Sequence, residues 1–339
     1  MMTGRTITRL EDLARLAGVS TATVSRALND SAAVNAATKR RIWKLAREHN
    51  YPFRRSMPSG PIGAEATIAV VITRPQGRAD RLSDPFILEL VGGIGDAARE
   101  RGCDFLVSHV APATYDDLSA LMTTNRADGV IFLGQSSLFP EFNRLAQEES
   151  RFVVWGAQLP EQRYCSVGSD NLRGGRRATA HLARLGRRRI AFLGDIEAPE
   201  VVQRYQGYLR ALEEAGLPID PALVVPAHFE VEFAEAAVDT LIARQIDFDG
   251  IVAASDMIAL GAIRSLLHTG RSVPGDVSVV GYDDVQFARY NHPALTTIAQ
   301  DTAKAGRLLV SKLLNSGLDE EMRSERVPTD LIVRESCGG

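Results

Sequence analysis

The chain has 339 residues, 45% of them hydrophobic, with 39 Lys and Arg against 42 Asp and Glu and a formal net charge of −3. That is long enough for more than one domain and apolar enough to fill real cores, and no run approaches the ~20 apolar residues of a membrane span. Cys103, Cys165 and Cys337 and six scattered histidines offer neither a disulfide framework nor a metal-ligand spacing, so no metal and no cofactor is expected. The opening M-M-T-G-R-T lacks the apolar stretch of a signal peptide, and a cytoplasmic protein is expected.

Leu10 to Asn29 reads L-E-D-L-A-R-L-A-G-V-S-T-A-T-V-S-R-A-L-N, two short helices around a tight turn. Leu10, Leu13, Ala14 and Ala17 recur at helical spacing. Thr8-Arg9-Leu10-Glu11 has the form of a capping box, and Gly18 can take the left-handed conformation that stops a helix. Ser20 is placed to cap the second helix, with Val24 and Leu28 on one face and Thr21, Ala22, Ser25 and Arg26 around the rest. Small residues at a helix start let the backbone approach base edges, and Arg is the commonest reader of guanine. An ordinary helical hairpin would show the same glycine turn, and charge separates the two readings. Residues 1–60 hold eleven Lys or Arg against four Asp or Glu, a surplus of seven positive charges that leaves ten net negative charges on the remainder. A basic head on an acidic body is the footprint of a phosphate-binding module. Thr21 and Ala22 are expected at base edges and Arg26 on a guanine. Thr23 and Ser25 are expected on phosphates or bases, with Asn29 among the DNA contacts.

Asn35 is placed to cap a third helix, with Ile42, Leu45, Ala46 and His49 on its inner side. Lys39, Arg40, Lys44 and Arg47 are available to phosphates, and Trp43 reads as a packing anchor. Pro52, Pro58, Gly60, Pro61 and Gly63 break regular structure. The expected division is a head at 1–53, a hinge at 54–66 and a body at 67–339.

From Thr67 short apolar runs alternate with helical segments. Strands are expected at Ile68 to Ile72, Phe105 to Val110, Val130 to Leu133 and Phe152 to Trp155. After Asp170 a second series follows, with strands at Ile190 to Leu193, near Leu223, at Ile251 to Ala254 and at Val277 to Gly281, separated by helices. The alternation predicts an α/β body of two doubly wound lobes built on parallel sheets. Such sheets bind ligands beyond the carboxyl ends of their strands. There the sequence places Asp84, Phe86, Trp155, Asp170, Ser255, Asp256, Asp283 and Gln300, with Arg204 opening a helix. Carboxylates, an Arg and aromatics around one cleft suit a neutral sugar better than a phosphate. Acid and amide groups share hydrogen bonds with hydroxyls, and aromatic faces pack on the C–H faces of pyranose rings.

A-G-V-S-T-A-T-V-S-R-A-L-N resembles the signature helix-turn-helix of the lactose/galactose-repressor (LacI/GalR) family of bacterial transcription regulators. The similarity continues through D-P-F (84–86), A-S-D (254–256), V-V-G-Y-D-D (279–284) and L-T-T-I-A-Q-D (295–301), over nearly the whole chain. It implies a sequence-specific regulator, a repressor of carbohydrate-utilisation genes relieved by a small sugar, with a periplasmic-binding-protein-like body for effector binding and dimerisation. The resemblance also implies that the lobes exchange their last segments. Lobe 1 then comprises 67–169 and 301–328 and lobe 2 comprises 170–297 and 329–339, with crossings near Ser169-Asp170, Ile298 to Gln300 and Pro328-Thr329. By resemblance, Arg204 in R-Y-Q-G-Y, Asp256 in A-S-D and Asp283 in G-Y-D-D match effector-contact or cleft positions. Trp155 stands where relatives often have an acidic residue and is a candidate ring-stacking platform. Ser255 stands where sugar-responsive relatives often have Asn. Plainer readings stand beside these: Arg204 as a surface ion pair, Asp256 as the cap of the helix that starts there, Phe86 as core, and Gln300 as a crossover-strand residue. Asp284 is read as a structural cap.

A homodimer on a pseudo-palindromic operator is expected, because one small head reads only a half-site. The final L-I-V-R-E-S-C carries no leucine heptads. Asp84, Asp256 and Asp283 could serve as acid and base on a glycoside, but a basic head has no part in hydrolysis, and no phosphate-cradling glycine motif is present. The expectation is a non-enzyme. The alternatives are a regulator answering to a nucleobase or nucleoside, and a sugar-binding protein with no gene-regulatory role. One departure from the family stands out. Relatives form a short hinge helix whose Leu enters the minor groove, whereas here N-Y-P-F-R-R-S-M-P-S-G-P-I-G (50–63) puts Pro58 inside that helix and Gly60 at or near the Leu position. Arg54 and Arg55 remain phosphate contacts, and Met57 as the wedge or an extended linker are the two alternatives.

Overall fold

The structure, a computed structural model, describes residues 9–28, 31, 33–49, 66–73, 84–108, 110–123, 127–135, 138–316 and 323–338. Hinge residues 54–65 and Thr8 lie outside them, as does the side chain of Trp43.

In the head, α1 (Leu10–Ala17), α2 (Thr21–Leu28) and α3 (Ala36–Glu48) close over Leu13, Val24, Leu28 and Ile42. Gly18 ends α1 at φ 61° and its N–H bonds back to the helix, the left-handed stop its lack of a Cβ allows. Ser20 Oγ accepts from the Thr23 amide at 3.1 Å, and Asn35 Oδ1 from the Thr38 amide at 2.8 Å, satisfying donors that a helix start leaves open. The start of α1 differs from expectation: Arg9 is its N-cap and makes no side-chain cap bond. Arg41 Nη2 donates to the Ala17 carbonyl at 2.5 Å and ties α3 to the end of α1.

The body begins with β1 (Thr67–Ile72), α4 (Pro85–Glu100), β2 (Asp104–Ser108), α5 (Tyr115–Thr123), β3 (Gly129–Leu133), α6 (Phe139–Leu145), β4 (Phe152–Trp155) and β5 (Ser166–Ser169). It continues through α7 (Asn171–Arg184), β6 (Ile190–Leu193), α8 (Pro199–Glu214), β7 (Val224–Val225), α9 (Val231–Ala243), β8 (Gly250–Ala253), α10 (Asp256–His268), β9 (Ser278–Asp283), α11 (Gln286–Tyr290) and β10 (Thr296–Gln300). It closes with α12 (Thr302–Leu314), β11 (Glu325–Val327) and β12 (Thr329–Ile332).

These strands form two six-stranded sheets, ordered β11-β5-β4-β3-β1-β2 and β12-β10-β9-β8-β6-β7. Continuous apolar runs such as G-V-I-F-L in β3 are buried throughout, as strands covered on both faces must be. Pairing is parallel except for β12, which runs antiparallel to β10 with Ile298 opposite Leu331, a departure from the all-parallel expectation. The chain passes between the sheets three times, from β5 into α7, from β10 into α12, and from β11 into β12. Helices α7 and α8 pack with almost no space between them, since a Cβ on Gly175 would overlap the Arg204 carbonyl and one on Gly207 the Leu172 carbonyl. That approach fixes where Arg204 stands. Among the described residues no helix is long and apolar enough to cross a membrane.

Candidate functional site

Two surfaces emerge, one in the head and one between the lobes. Along α2, Val24, Ala27 and Leu28 are buried, while Thr21, Ala22 and Arg26 are exposed and Thr23 and Ser25 are half-buried. The proposed base-reading residues thus share the solvent side of one short helix. Thr23 Oγ1 lies 2.8 Å from Ser20 Oγ, so its hydroxyl is partly engaged by the cap. Asn29, Arg54 and Arg55 lie outside the described residues.

Between the lobes, the strand ends and crossings converge on Arg204. This residue is buried in the second turn of α8 rather than opening the helix. Its Nε donates to Asn171 Oδ1 at 2.9 Å, and its Nη1 donates to the Ala254 carbonyl. Its Cζ stands 3.7 Å from the centroid of the Tyr282 ring, a cation–π arrangement. Nη1 also lies 4.0 Å from Asp283 Oδ1. Asp283 Oδ1 accepts from Gln300 Nε2 at 2.6 Å, and Gln300 Oε1 in turn accepts from the Ser169 hydroxyl. A continuous polar chain therefore runs from the end of β5 through the end of β10 and the end of β9 to α8 and α7. The surface ion-pair reading of Arg204 does not fit so enclosed a guanidinium.

Asp84 faces this chain from lobe 1. Its carboxylate caps α4, accepting from the Phe86 amide at 2.9 Å and the Ile87 amide at 3.4 Å. Burial raises its carboxyl above the ordinary range, with the two amides and then Arg204 opposing the rise. Asp283 is held well above the ordinary carboxylate range, chiefly by burial; Arg204 opposes the shift, while the charges of Asp256 and Asp84 add to it. Carboxylates from both lobes thus act on one another around a single guanidinium. Asp170 caps α7 by accepting from the Arg173 amide at 3.2 Å and is half-buried.

Other expected contacts need correction. Asp256 is 0% exposed: Oδ1 accepts from the Thr297 hydroxyl at 2.5 Å and Oδ2 from the Val285 amide at 2.9 Å. It braces the interior of lobe 2 and presents no open acceptor. Nor does it cap α10, because Ser255 does so, its Oγ accepting from the Ile258 amide at 3.2 Å. The Ser255 oxygen therefore serves the helix start, and the residue is buried. Trp155 and Phe86 pack on each other, rings 5.9 Å apart at 42°, and are 8% and 9% exposed. The open stacking face expected of Trp155 is absent in this arrangement. Asp284 is no cap either: it pairs with Arg334 at 2.5 Å and with Arg289 at 3.2 Å.

The sequence gives no site role to Ser169, Asn171 or Tyr282, each adjacent to a residue singled out for the cleft. Nor does it give one to Asp195 or His228, which follow β6 and β7 at the same carboxyl ends. His228 Nδ1 lies 3.1 Å from Asp195 Oδ2, and its ring meets Phe233 edge-on at 4.9 Å. Position after a strand was the signal available for these two. No group of three or more potential ligands for a metal ion occurs among the described residues.

Comparison with known proteins matches both parts of the chain, the head and the body. Residues 9–52 match the family model for bacterial regulatory proteins of the lacI family, and residues 179–337 match a periplasmic binding protein-like domain. The HTH-type transcriptional regulator CelR of Thermobifida fusca is 34% identical over 333 residues, spanning 96% of this chain and 97% of its own. The HTH-type transcriptional repressor CytR of Escherichia coli is 30% identical, spanning 98% of this chain and 96% of its own. Among solved structures, the complex of the regulator CelR with cellobiose superposes with a TM-score of 0.71 at 33% identity, covering 97% of this chain and all of that one. A LacI family regulator from Enterococcus faecium with bound ribose gives 0.68 at 26% identity, covering 80% and 98%. A basic helix-turn-helix head on a two-lobed binding body, matched over almost the full length of these relatives, places the chain in the lacI family of bacterial DNA-binding transcriptional regulators.

Proposed function

We propose that this regulator is a repressor whose operator binding is relieved when a neutral sugar occupies the cleft between the lobes, and that it acts in the cytoplasm as a homodimer. The observation that carries the sugar reading is the Arg204–Asp283–Gln300 chain facing Asp84. It offers fixed donors and acceptors to vicinal hydroxyls, while two acidic groups face its one guanidinium and leave no surplus positive charge for a phosphorylated ligand. Two relatives of known structure hold cellobiose and ribose, in keeping with that chemistry. Asp84, Asp170, Arg204, Asp283 and Gln300 are the polar residues assigned to the cleft, with Phe86 and Trp155 as the packed apolar wall behind them. Thr21, Ala22, Thr23, Ser25, Arg26, Asn29, Arg54 and Arg55 are those assigned to the operator.

The second copy is assigned to lobe 1. Leu88 on α4 and Phe105, Val107 and Val110 on and just after the edge strand β2 are 40% to 52% exposed, beside a groove lined by Gly92, Gly95 and Phe105. An apolar sheet edge left open invites another chain, and reading a palindrome requires two heads.

The test is thermal shift together with operator binding across cellobiose, other neutral mono- and disaccharides, sugar phosphates and nucleosides. A neutral sugar should raise the melting temperature and release operator. Mass action gives about 2.7 kcal/mol of stabilisation at about 100 times its Kd. A response confined to phosphorylated sugars or to nucleosides would overturn the sugar assignment.

A further inference from the structure

Four consecutive residues leave the end of β9, and each is gripped by a different part of the molecule. Asp283 holds Gln300 and faces Arg204 in the cleft. Asp284 is clamped within lobe 2 by Arg334 and Arg289. The Val285 amide donates to the buried Asp256, while the Val285 side chain, 1% exposed, belongs to the apolar core of lobe 1 together with Phe86, Leu90 and Trp155. The Gln286 amide donates to Glu89 Oε1 on α4 at 3.1 Å. Asp283 and Asp284 both have positive φ, 124° and 61°, which residues with a Cβ hold only where the surroundings over-determine them.

Such a segment cannot yield at one end without loading the other. A shift of Asp283 strains two unfavourable backbone positions. Beyond the lobe 2 clamps on Asp284 and on the Val285 amide, the next fixed points along the chain, the Val285 side chain and the Gln286 amide, lie in lobe 1. We propose that Asp283 to Gln286 is a stiff arm through which the cleft acts on α4, with Asp256, Val285 and Glu89 as the residues that position it. Asp256 sets the direction of the arm by holding the Val285 amide. Val285 anchors it in the neighbouring lobe, and Glu89 receives its tip. Glu89 sits beside Leu88, on the helix assigned above to the second copy, so displacement of the arm reaches the surface that sets how two heads stand relative to each other. What moves Asp283 rests on the cleft reading above, whereas the arm itself rests on these contacts.

The experiment is amide hydrogen exchange along α4 in the full-length protein, first without ligand. Asp283→Ala removes the acceptor at the cleft end. It should change exchange of α4 amides several-fold, within the range of ordinary coupling between sites. In a Glu89→Ala or Val285→Ala background the same change should leave α4 unaltered. Glu89→Gln, which keeps an acceptor oxygen for the Gln286 amide, should restore the response, an outcome that loss of packing alone would not give. Should Val285→Ala fail to fold, the half-buried Glu89 pair decides the matter. An α4 response to Asp283→Ala that persists undiminished in Glu89→Ala overturns the arm. Cellobiose then serves as the ligand probe: protection around Arg204 and Asp283 with a response at α4 in wild type but not in Glu89→Ala supports it. If cellobiose and the other sugars leave Arg204 and Asp283 unprotected, the sugar assignment falls and the ligand-free comparison still judges the arm.

Discussion

Asp283 ends β9 and Gln300 ends β10, and the Gln300 amide donates to the Asp283 carboxylate at 2.6 Å at the point where the chain leaves lobe 2 for lobe 1. One hydrogen bond therefore joins a cleft residue to a crossing. Gln300→Ala removes this donor while Asp283 stays buried. An unsatisfied buried acceptor costs about 1–3 kcal/mol, so urea unfolding should show a loss of that order. The effector concentration for half-maximal operator release should rise as well. Unchanged values for both would show that Gln300 serves only its strand.

In the head, Arg26 stands exposed on the outer side of α2, away from the core formed by Val24 and Leu28. Arg26→Ala should weaken operator binding by roughly 1–3 kcal/mol, the worth of a bidentate guanine contact, and relax the preference for one base pair per half-site. Effector binding to the body should be untouched. Operator titrations across single-base variants check this, and an unaltered base preference removes Arg26 from base reading.

The head was legible because its signals are local. Gly18, Ser20 and Asn35 act within four residues of themselves, and each does what its chemistry dictates. The alternation of strands and helices was equally plain, and with it the carboxyl ends where Arg204, Asp283 and Gln300 meet. Side-chain direction within a polar pair was not legible. Ser255 and Asp256 are neighbours, yet which one caps α10 and which turns inward depends on Thr297 and Val285, 41 and 29 positions away. Asp284 reads locally as a cap, whereas its partner Arg334 lies fifty positions on. The contact of Glu89 with Gln286 spans 197 positions, and no local pattern announces it.

Asp256 makes the stability pH-dependent. Burial raises its carboxyl from the ordinary 3.8 to about 7; the Thr297 hydroxyl and the Val285 amide oppose the shift, the charge of Asp284 adds to it and Arg334 opposes it. In the unfolded chain the same group titrates near the ordinary carboxylate value. From about pH 4 to about pH 7 the folded state therefore holds a proton that the unfolded state has released. Stability from this group is full below that window and falls as the pH rises through it. Asp256→Asn should be less stable overall but should lose this component of the slope. Unfolding free energies at intervals from pH 4 to pH 8 provide the check, and parallel profiles for the two proteins would rule Asp256 out as the source.

Helix α8 takes its position from α7, and Gly175 is where the two backbones touch. A Cβ there would overlap the Arg204 carbonyl oxygen and come within 2.9 Å of its Cα, so backbone rather than a pliable side chain must give way. Gly175→Ala should therefore push α8 off α7 and carry the guanidinium away from Asn171, the Ala254 carbonyl and the Tyr282 ring together. Overpacking of this kind costs typically about 1–3 kcal/mol, and that loss alone would mark a structural position. The functional consequence distinguishes the two: because Arg204 itself is displaced, effector affinity should fall further than in a variant of equal instability made far from the cleft. Leu241→Val, a small truncation in the lobe 2 core, is a suitable comparison once its measured stability has been matched by temperature or denaturant. If the two variants respond to effector alike at matched stability, the close approach of α7 and α8 holds the lobe together without setting the geometry of Arg204.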